Sequence, residues 1–285
     1  MRILITGAGG MLGLDLQAAA RTAAHDTIAL TRADLDITDA AAVRVAIADA
    51  RPDVVIGCAA WTDVDGAETE PQAARAVNGD GAGHVAAAAA ACGAWTIHVS
   101  SDYVFDGSKR SPYLESDRVS PLSEYGRSKL AGERAVAEQA PDAHTIVRTA
   151  WLFGAHGRCF PKTMLRLAGE RDELAVVSDQ VGSPTFTGHL AAALVGLAEQ
   201  RERTLGIVHL AASGECSWCE FARAIIAAGP GAATTRVRPI TTAEYPTPAR
   251  RPAYSVLRSE RGAPILPSWQ DGLRSFITEL AEVAA

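Results

Sequence analysis

Short apolar runs alternate with longer segments of helical character through the first half of the chain. Residues 2–6 (RILIT) are an apolar, β-rich run, the length of a buried strand and too short for a signal peptide. Comparable runs recur at 27–31 (TIALT), 53–58 (DVVIGC), 95–100 (WTIHVS) and 145–148 (TIVR). Between them, 11–21 and the alanine-rich 73–91 read as helices, and a third helix runs through Lys129 to about Gln139, where Pro141 ends it. Strands alternating with helices predict βα units and a parallel sheet. Further helices are expected at 188–200, at 217–226 and at 271–283. The second of these opens on Ser217-Trp-Cys-Glu220, the S-x-x-E form of a capping box. That helix start accounts for the single Cys216-x-x-Cys219 pair better than a zinc site does.

The turn after the first strand carries the first chemical signal. MRILITGAGGMLG places Gly7, Gly10 and Gly13 between a strand and a helix. Glycines there let backbone approach a pyrophosphate, and the helix N-terminus supplies N–H groups and positive potential. Met11 and Leu12 open that helix and join the three glycines as cofactor contacts. Arg32 follows the second strand, where an arginine suits an adenosine 2′-phosphate and a carboxylate suits a free 2′-hydroxyl. It therefore favours NADPH, although nearby Asp34 and Asp36 keep NADH open. Asp36 and Ile37 are placed to line an adenine. Cys58, Ala59, Ala60 and Thr62 lie at the C-terminal end of the third strand, where ribose and phosphates would pass. Asn78 is a further cofactor-side candidate.

The second signal lies between Ser100 and Lys129. The strand at 95–100 runs into Ser101 and Asp102, at the sheet edge where open α/β sheets bind ligands. Tyr125 and Lys129 are four residues apart, so on a helix they share a face. The expectation is that the lysine lowers the phenol pKa, the tyrosine moves a proton and the serine hydroxyl bonds a substrate oxygen.

Composition narrows the setting. At 285 residues and 48% hydrophobic content, the chain can bury a sizeable core, as one large domain or two coupled ones. A net charge of −6 without basic blocks excludes nucleic acid as the main partner. No uncharged apolar stretch reaches membrane-spanning length, so neither a membrane nor an export route is expected, and the location is read as cytoplasmic. Five scattered cysteines fit reduced thiols.

Taken together, TGAGGMLG, the acidic turn after strand two, Ser-Ser-Asp-Tyr-Val-Phe-Asp-Gly (100–107) and YGRSK (125–129) resemble the extended short-chain dehydrogenase/reductases. The second half narrows the resemblance to the dTDP-4-dehydrorhamnose reductase family. It carries Arg148-Thr-Ala-Trp151-Leu-Phe-Gly154, Lys162-Thr-Met-Leu165, Asp179-Gln-Val-Gly-Ser-Pro-Thr185 and Tyr245-Pro-Thr-Pro-Ala-Arg-Arg-Pro252. The resemblance implies an α/β protein with a Rossmann-type, doubly wound parallel sheet over residues 1–152. A smaller, mainly substrate-binding lobe over 153–285 would return some segments to the sheet. It also implies NAD(P)H-dependent reduction of a 4-keto sugar nucleotide, with Ser101, Tyr125 and Lys129 catalytic. Ser101 replaces the usual threonine of the family and keeps the hydroxyl. Ser101, Asp102, Trp151 and Arg251 would contact the substrate, Arg251 through its suitability for pyrophosphate. Some relatives bridge subunits through a metal held by glutamates. Here Asp15 stands at the early position and Phe-Thr-Gly-His follows Thr185, so no metal is carried over, while a homodimer stays open. Two rivals are an epimerase or 4,6-dehydratase of the same superfamily and a non-catalytic NADP-binding regulatory subunit. The first is disfavoured because Ser101-Asp102-Tyr103 lacks the Thr-Asp-Glu of dehydratases, the second because the Ser101, Tyr125 and Lys129 set is intact.

Overall fold

The computed structural model describes residues 1–229 and 234–284. Five strands lead the architecture: β1 (Arg2–Thr6), β2 (Asp26–Leu30), β3 (Val54–Gly57), β4 (Trp95–Ser101) and β5 (His144–Thr149). With the later strand Gly206–His209 they make one six-stranded sheet, ordered β2-β1-β3-β4-β5 and then 206–209, with every pairing parallel. The strand order reverses at β1, which places a crevice at its C-terminal end.

A parallel sheet needs cover on both faces, and β1 shows how the sequence supplies it. Ile3 and Ile5 point into one apolar cluster with Leu16, Ile56, Ile97, Leu190 and Leu194. Leu4, between them, points into another with Val43, Ile47, Val55 and Val85. The first face is covered by α1 (Met11–Thr22) together with the distant helix Thr187–Glu199. The second is covered by α2 (Ala40–Ala50) and the helix Ala82–Ala91. Residues beyond 152 therefore return to the main sheet both as a covering helix and as its edge strand. Another core gathers Phe153, Met164, Leu174, Val176, Phe221, Trp269 and Phe276. The parallel pair Glu173–Val177 and Arg236–Ile240 lies beside it.

The expected elements form, with ends displaced by one or two residues. One differs in kind. The helix expected over 73–91 is broken into Pro71–Arg75, a π segment Ala76–Gly81, and Ala82–Ala91. The wide turn lies where this segment meets the helix Glu124–Gln139: a Cβ on Gly79 would lie 3.3 Å from Ala131 Cβ of that helix, and one on Gly132 of the helix would lie 2.1 Å from Asn78 O. Such π turns inside helices accompany functional sites. The Ser217 capping box forms as expected: its hydroxyl accepts from Glu220 N at 3.2 Å, and the Glu220 carboxylate accepts from Ser217 N at 2.7 Å. All five cysteines are free.

Candidate active site

A cleft of about 990 Å³ opens at the carboxyl ends of the strands. Its cofactor-side floor is the β1–α1 turn. Gly7 has φ +67°, and a Cβ there would lie 2.5 Å from Ala59 N; one on Gly13 would lie 2.5 Å from Gly7 O. Side chains there would collide with the backbone of Ala59 and of the turn itself, so only glycine lets the turn pack this closely. Gly10 caps α1 without a side-chain hydrogen bond, leaving first-turn N–H groups for an anion. The residues present thus fit a dinucleotide pyrophosphate.

Along the same cleft run Gly7, Gly10, Met11, Leu12, Gly13, Arg32, Asp36, Ile37, Cys58, Ala59, Ala60 and Thr62. The two aspartates near Arg32 are held in local turns. Asp34 accepts from Thr31 N at 2.9 Å, and Asp36 accepts from Thr38 N at 3.0 Å. Those hydrogen bonds keep both carboxyls below the usual range. Arg32 lines the cleft beside Asp36, and Asp34 lies outside the lining.

The catalytic candidates enter from two elements. Ser101 ends β4, and Asp102 begins the 3₁₀ turn Asp102–Val104. Tyr125 and Lys129 project from the helix Glu124–Gln139, whose N-cap Ser123 accepts from Gly126 N at 3.1 Å. All four line the cleft. Ser101 Oγ donates to Asp102 Oδ1 at 3.0 Å, while Asp102 Oδ2 is buried without a partner. Burial pushes the Asp102 carboxyl up to about 6, against hydrogen bonds that include one from Ser101.

Here the structure corrects the expected electrostatics. Burial pushes the Tyr125 phenol up to about 12, with the Asp102 charge adding to the rise and a Ser101 hydrogen bond opposing it. Lys129 is not among the groups that shift it. Its Nζ donates instead to Val99 O at 2.7 Å, and burial draws it down to about 8. Helical spacing put the two side chains on one face, but desolvation outweighs the attraction expected between them.

Asn78 is also reassigned. It is buried and absent from the lining; its amide accepts from Trp61 N at 2.8 Å and donates to Trp61 O at 3.0 Å and to Ser128 Oγ at 2.9 Å. It ties the loop after β3 to the catalytic helix. Arg251 is not in the lining either. It pairs with Asp65 at 2.8 Å and bonds Thr247.

Trp151 lines the cleft and adopts φ +49°, a conformation unusual for a side-chain-bearing residue. Its indole stacks on Trp218, with centroids 3.5 Å apart and planes 3° from parallel. Trp218, Phe160, Arg158 and Tyr103 line the cleft as well and were not foreseen. Tyr103 lies two residues past Ser101 and makes an edge-on contact with Tyr125 at 5.4 Å, so its position in the sequence could have flagged it. Nothing in the spacing of residues 151, 160 and 218 announces that they meet. The same applies to Asp15, His156 and Glu279, where no metal ligands were expected. Their side-chain ligand atoms come within 4.8 Å of one another.

A parallel sheet with a glycine cradle at its switch point, and a Ser/Tyr/Lys set beside it, defines a dinucleotide-binding α/β protein of the short-chain dehydrogenase type. The model of the RmlD substrate binding domain matches residues 1–282. A dTDP-4-dehydrorhamnose reductase of Sinorhizobium fredii is 44% identical, with 98% of each chain covered. A dTDP-4-keto-6-deoxy-D-glucose reductase of Streptomyces niveus is 45% identical over 90% of this chain and 88% of its own. The crystal structure of dTDP-4-dehydrorhamnose reductase from Bacillus anthracis in complex with NADP superposes with a TM-score of 0.92 at 39% identity, covering 98% of this chain and 99% of that one. The chain belongs to the dTDP-4-dehydrorhamnose reductase family.

Proposed function

We propose that the protein reduces dTDP-4-dehydro-β-L-rhamnose to dTDP-L-rhamnose with NADPH. One observation carries the chemistry: the Ser101 hydroxyl, the Tyr125 phenol and the Lys129 ammonium line one cleft whose floor is the glycine cradle. When bound, the reduced nicotinamide supplies a hydride for C4 of the sugar. Ser101 bonds the ketone oxygen and Tyr125 delivers a proton to it, so C=O becomes CH–OH. A phenol held near 12 stays protonated at neutral pH, as a proton donor must. Lys129, held near 8, remains an ammonium there and serves the nicotinamide ribose. Arg32 meets the 2′-phosphate, while Asp36 and Ile37 border the adenine. Asp102 and Trp151 border the sugar.

The Asp65 partner of Arg251 argues against giving that arginine the pyrophosphate in this arrangement. The residues beyond 152 that surround the Trp151–Trp218 pair are assigned to the substrate, and those that return to the sheet to its stability. Among the described residues no helix is long and apolar enough to cross a membrane. The free thiols fit a reducing compartment, and the cytoplasm is the location proposed.

The test is NADPH oxidation, followed by its absorbance, with the 4-keto sugar nucleotide as substrate. Stoichiometric oxidation with appearance of the 6-deoxy sugar nucleotide is expected. Tight NADPH binding without turnover would favour a regulatory role instead. A parallel assay with dTDP-4-keto-6-deoxy-D-glucose separates the two activities named among the relatives.

A further inference from the structure

Glu133 is a buried carboxylate that the reaction as described leaves unused. It lies four residues after Lys129 on the helix Glu124–Gln139, so the two side chains share a face, and each residue is only 3% exposed. Glu133 Oε1 accepts from Ser100 Oγ at 2.6 Å and from Arg148 Nε at 2.8 Å; Oε2 accepts from Arg148 Nη2 at 2.7 Å. Ser100 and Arg148 are register partners on β4 and β5, and Ser100 directly precedes Ser101. One carboxylate therefore fastens the catalytic helix to the ends of two adjacent strands. Lys129 makes the parallel attachment, to Val99 O.

Stability alone does not explain a buried ion pair here, because apolar residues of similar volume commonly do as well or better. We infer that Glu133 is a positioning residue for the reduction proposed above, its carboxylate fastening the helix face that carries Lys129 to the strand end that carries Ser101 and setting a negative charge one turn from the ammonium. The surroundings of Lys129 support this. From the other elements it faces His98 on β4, which burial keeps neutral, and Cys58 after β3, whose thiol burial pushes up to about 12. Neither carries charge at neutral pH. Arg148 is paired with Glu133 itself. Glu133 is thus the anion that opposes the desolvation of Lys129.

The inference rests on the reductase reading, but its test does not depend on turnover alone. Glu133→Gln keeps the shape and removes the charge. The profile of kcat/KM against pH should lose activity on the alkaline side about one pH unit earlier than in the wild type. NADPH affinity, titrated by fluorescence across the same range, should weaken at the correspondingly lower pH and match the wild type at pH 6. Because Arg148 would be left unpaired, Glu133→Gln/Arg148→Met provides the control. It should recover thermal stability yet keep the displaced alkaline limb. A loss uniform across pH, with both limbs where the wild type has them, would show a purely structural role and overturn the inference, as would a wild-type profile in the double variant. A wild type that oxidises no NADPH counts against the reductase reading alone, since the binding profile still decides the role of Glu133.

Discussion

Tyr125→Phe removes one oxygen and leaves the ring in place against Tyr103. General acid catalysis is typically worth about 10²- to 10⁴-fold, so kcat should fall by roughly that factor. NADPH affinity should hold, because the glycine cradle is untouched; near-normal turnover would move the proton donor elsewhere. At Arg32, change to alanine removes a charge-assisted contact worth about 1.5–3 kcal/mol. The apparent KM for NADPH should rise far more than that for NADH, and equal losses would remove Arg32 from the 2′-phosphate. Asp102 yields a prediction about stability. Its folded pKa, about 6, is raised above the unfolded value near 3.9. The associated stability is therefore complete below about pH 4 and is lost as pH rises through about 6. Asp102→Asn removes that titration, so its stability relative to the wild type should improve between pH 4 and pH 7 by on the order of 2–3 kcal/mol. Parallel denaturation curves at the two pH values would show that the carboxyl is not desolvated as described.

The element that matters most is the catalytic helix and what it leans on. A Cβ on Gly132 would lie 2.1 Å from Asn78 O, so this glycine sets how closely the helix meets the π segment. Mid-helix Gly→Ala ordinarily stabilises by about 0.5–1 kcal/mol. Here Gly132→Ala should instead cost about 1–3 kcal/mol, because backbone must move. NADPH should also bind more weakly, since Asn78 holds Trp61 and the loop after β3. Urea denaturation with a cofactor titration reads both effects, and a neutral or stabilised variant would contradict the contact.

At the scale of the whole molecule, the cleft joins the switch point of the sheet to an aromatic wall contributed by residues 151, 160 and 218. The two sides should separate experimentally. Trp218→Ala removes the ring stacked on Trp151, a pair worth about 0.5–1.5 kcal/mol beyond the area it buries. The KM for the sugar nucleotide should rise roughly tenfold, as expected for a loss of about 1.4 kcal/mol, with NADPH affinity unchanged. Weakened NADPH binding would place this wall on the cofactor side.

What the sequence alone determined was local: each feature depends on residues a few positions apart. Strand β1, the glycines after it and the start of α1 lie within thirteen residues. Tyr125 and Lys129 share a face because a helix repeats every 3.6 residues, and the Ser217 capping box spans four. Each was readable from spacing. What the tertiary structure decided depends on burial and on pairs far apart in the chain. Whether Lys129 or desolvation governs the Tyr125 phenol is set by how much water the folded cleft excludes. Arg251 pairs with Asp65, 186 residues away in the chain. The stack of Trp218 on Trp151 and the bonds from Ser100 and Arg148 to Glu133 join separate strands and helices. Such pairings leave no periodic trace in sequence, because packing the sheet and its covering helices, not the local backbone, brings them together.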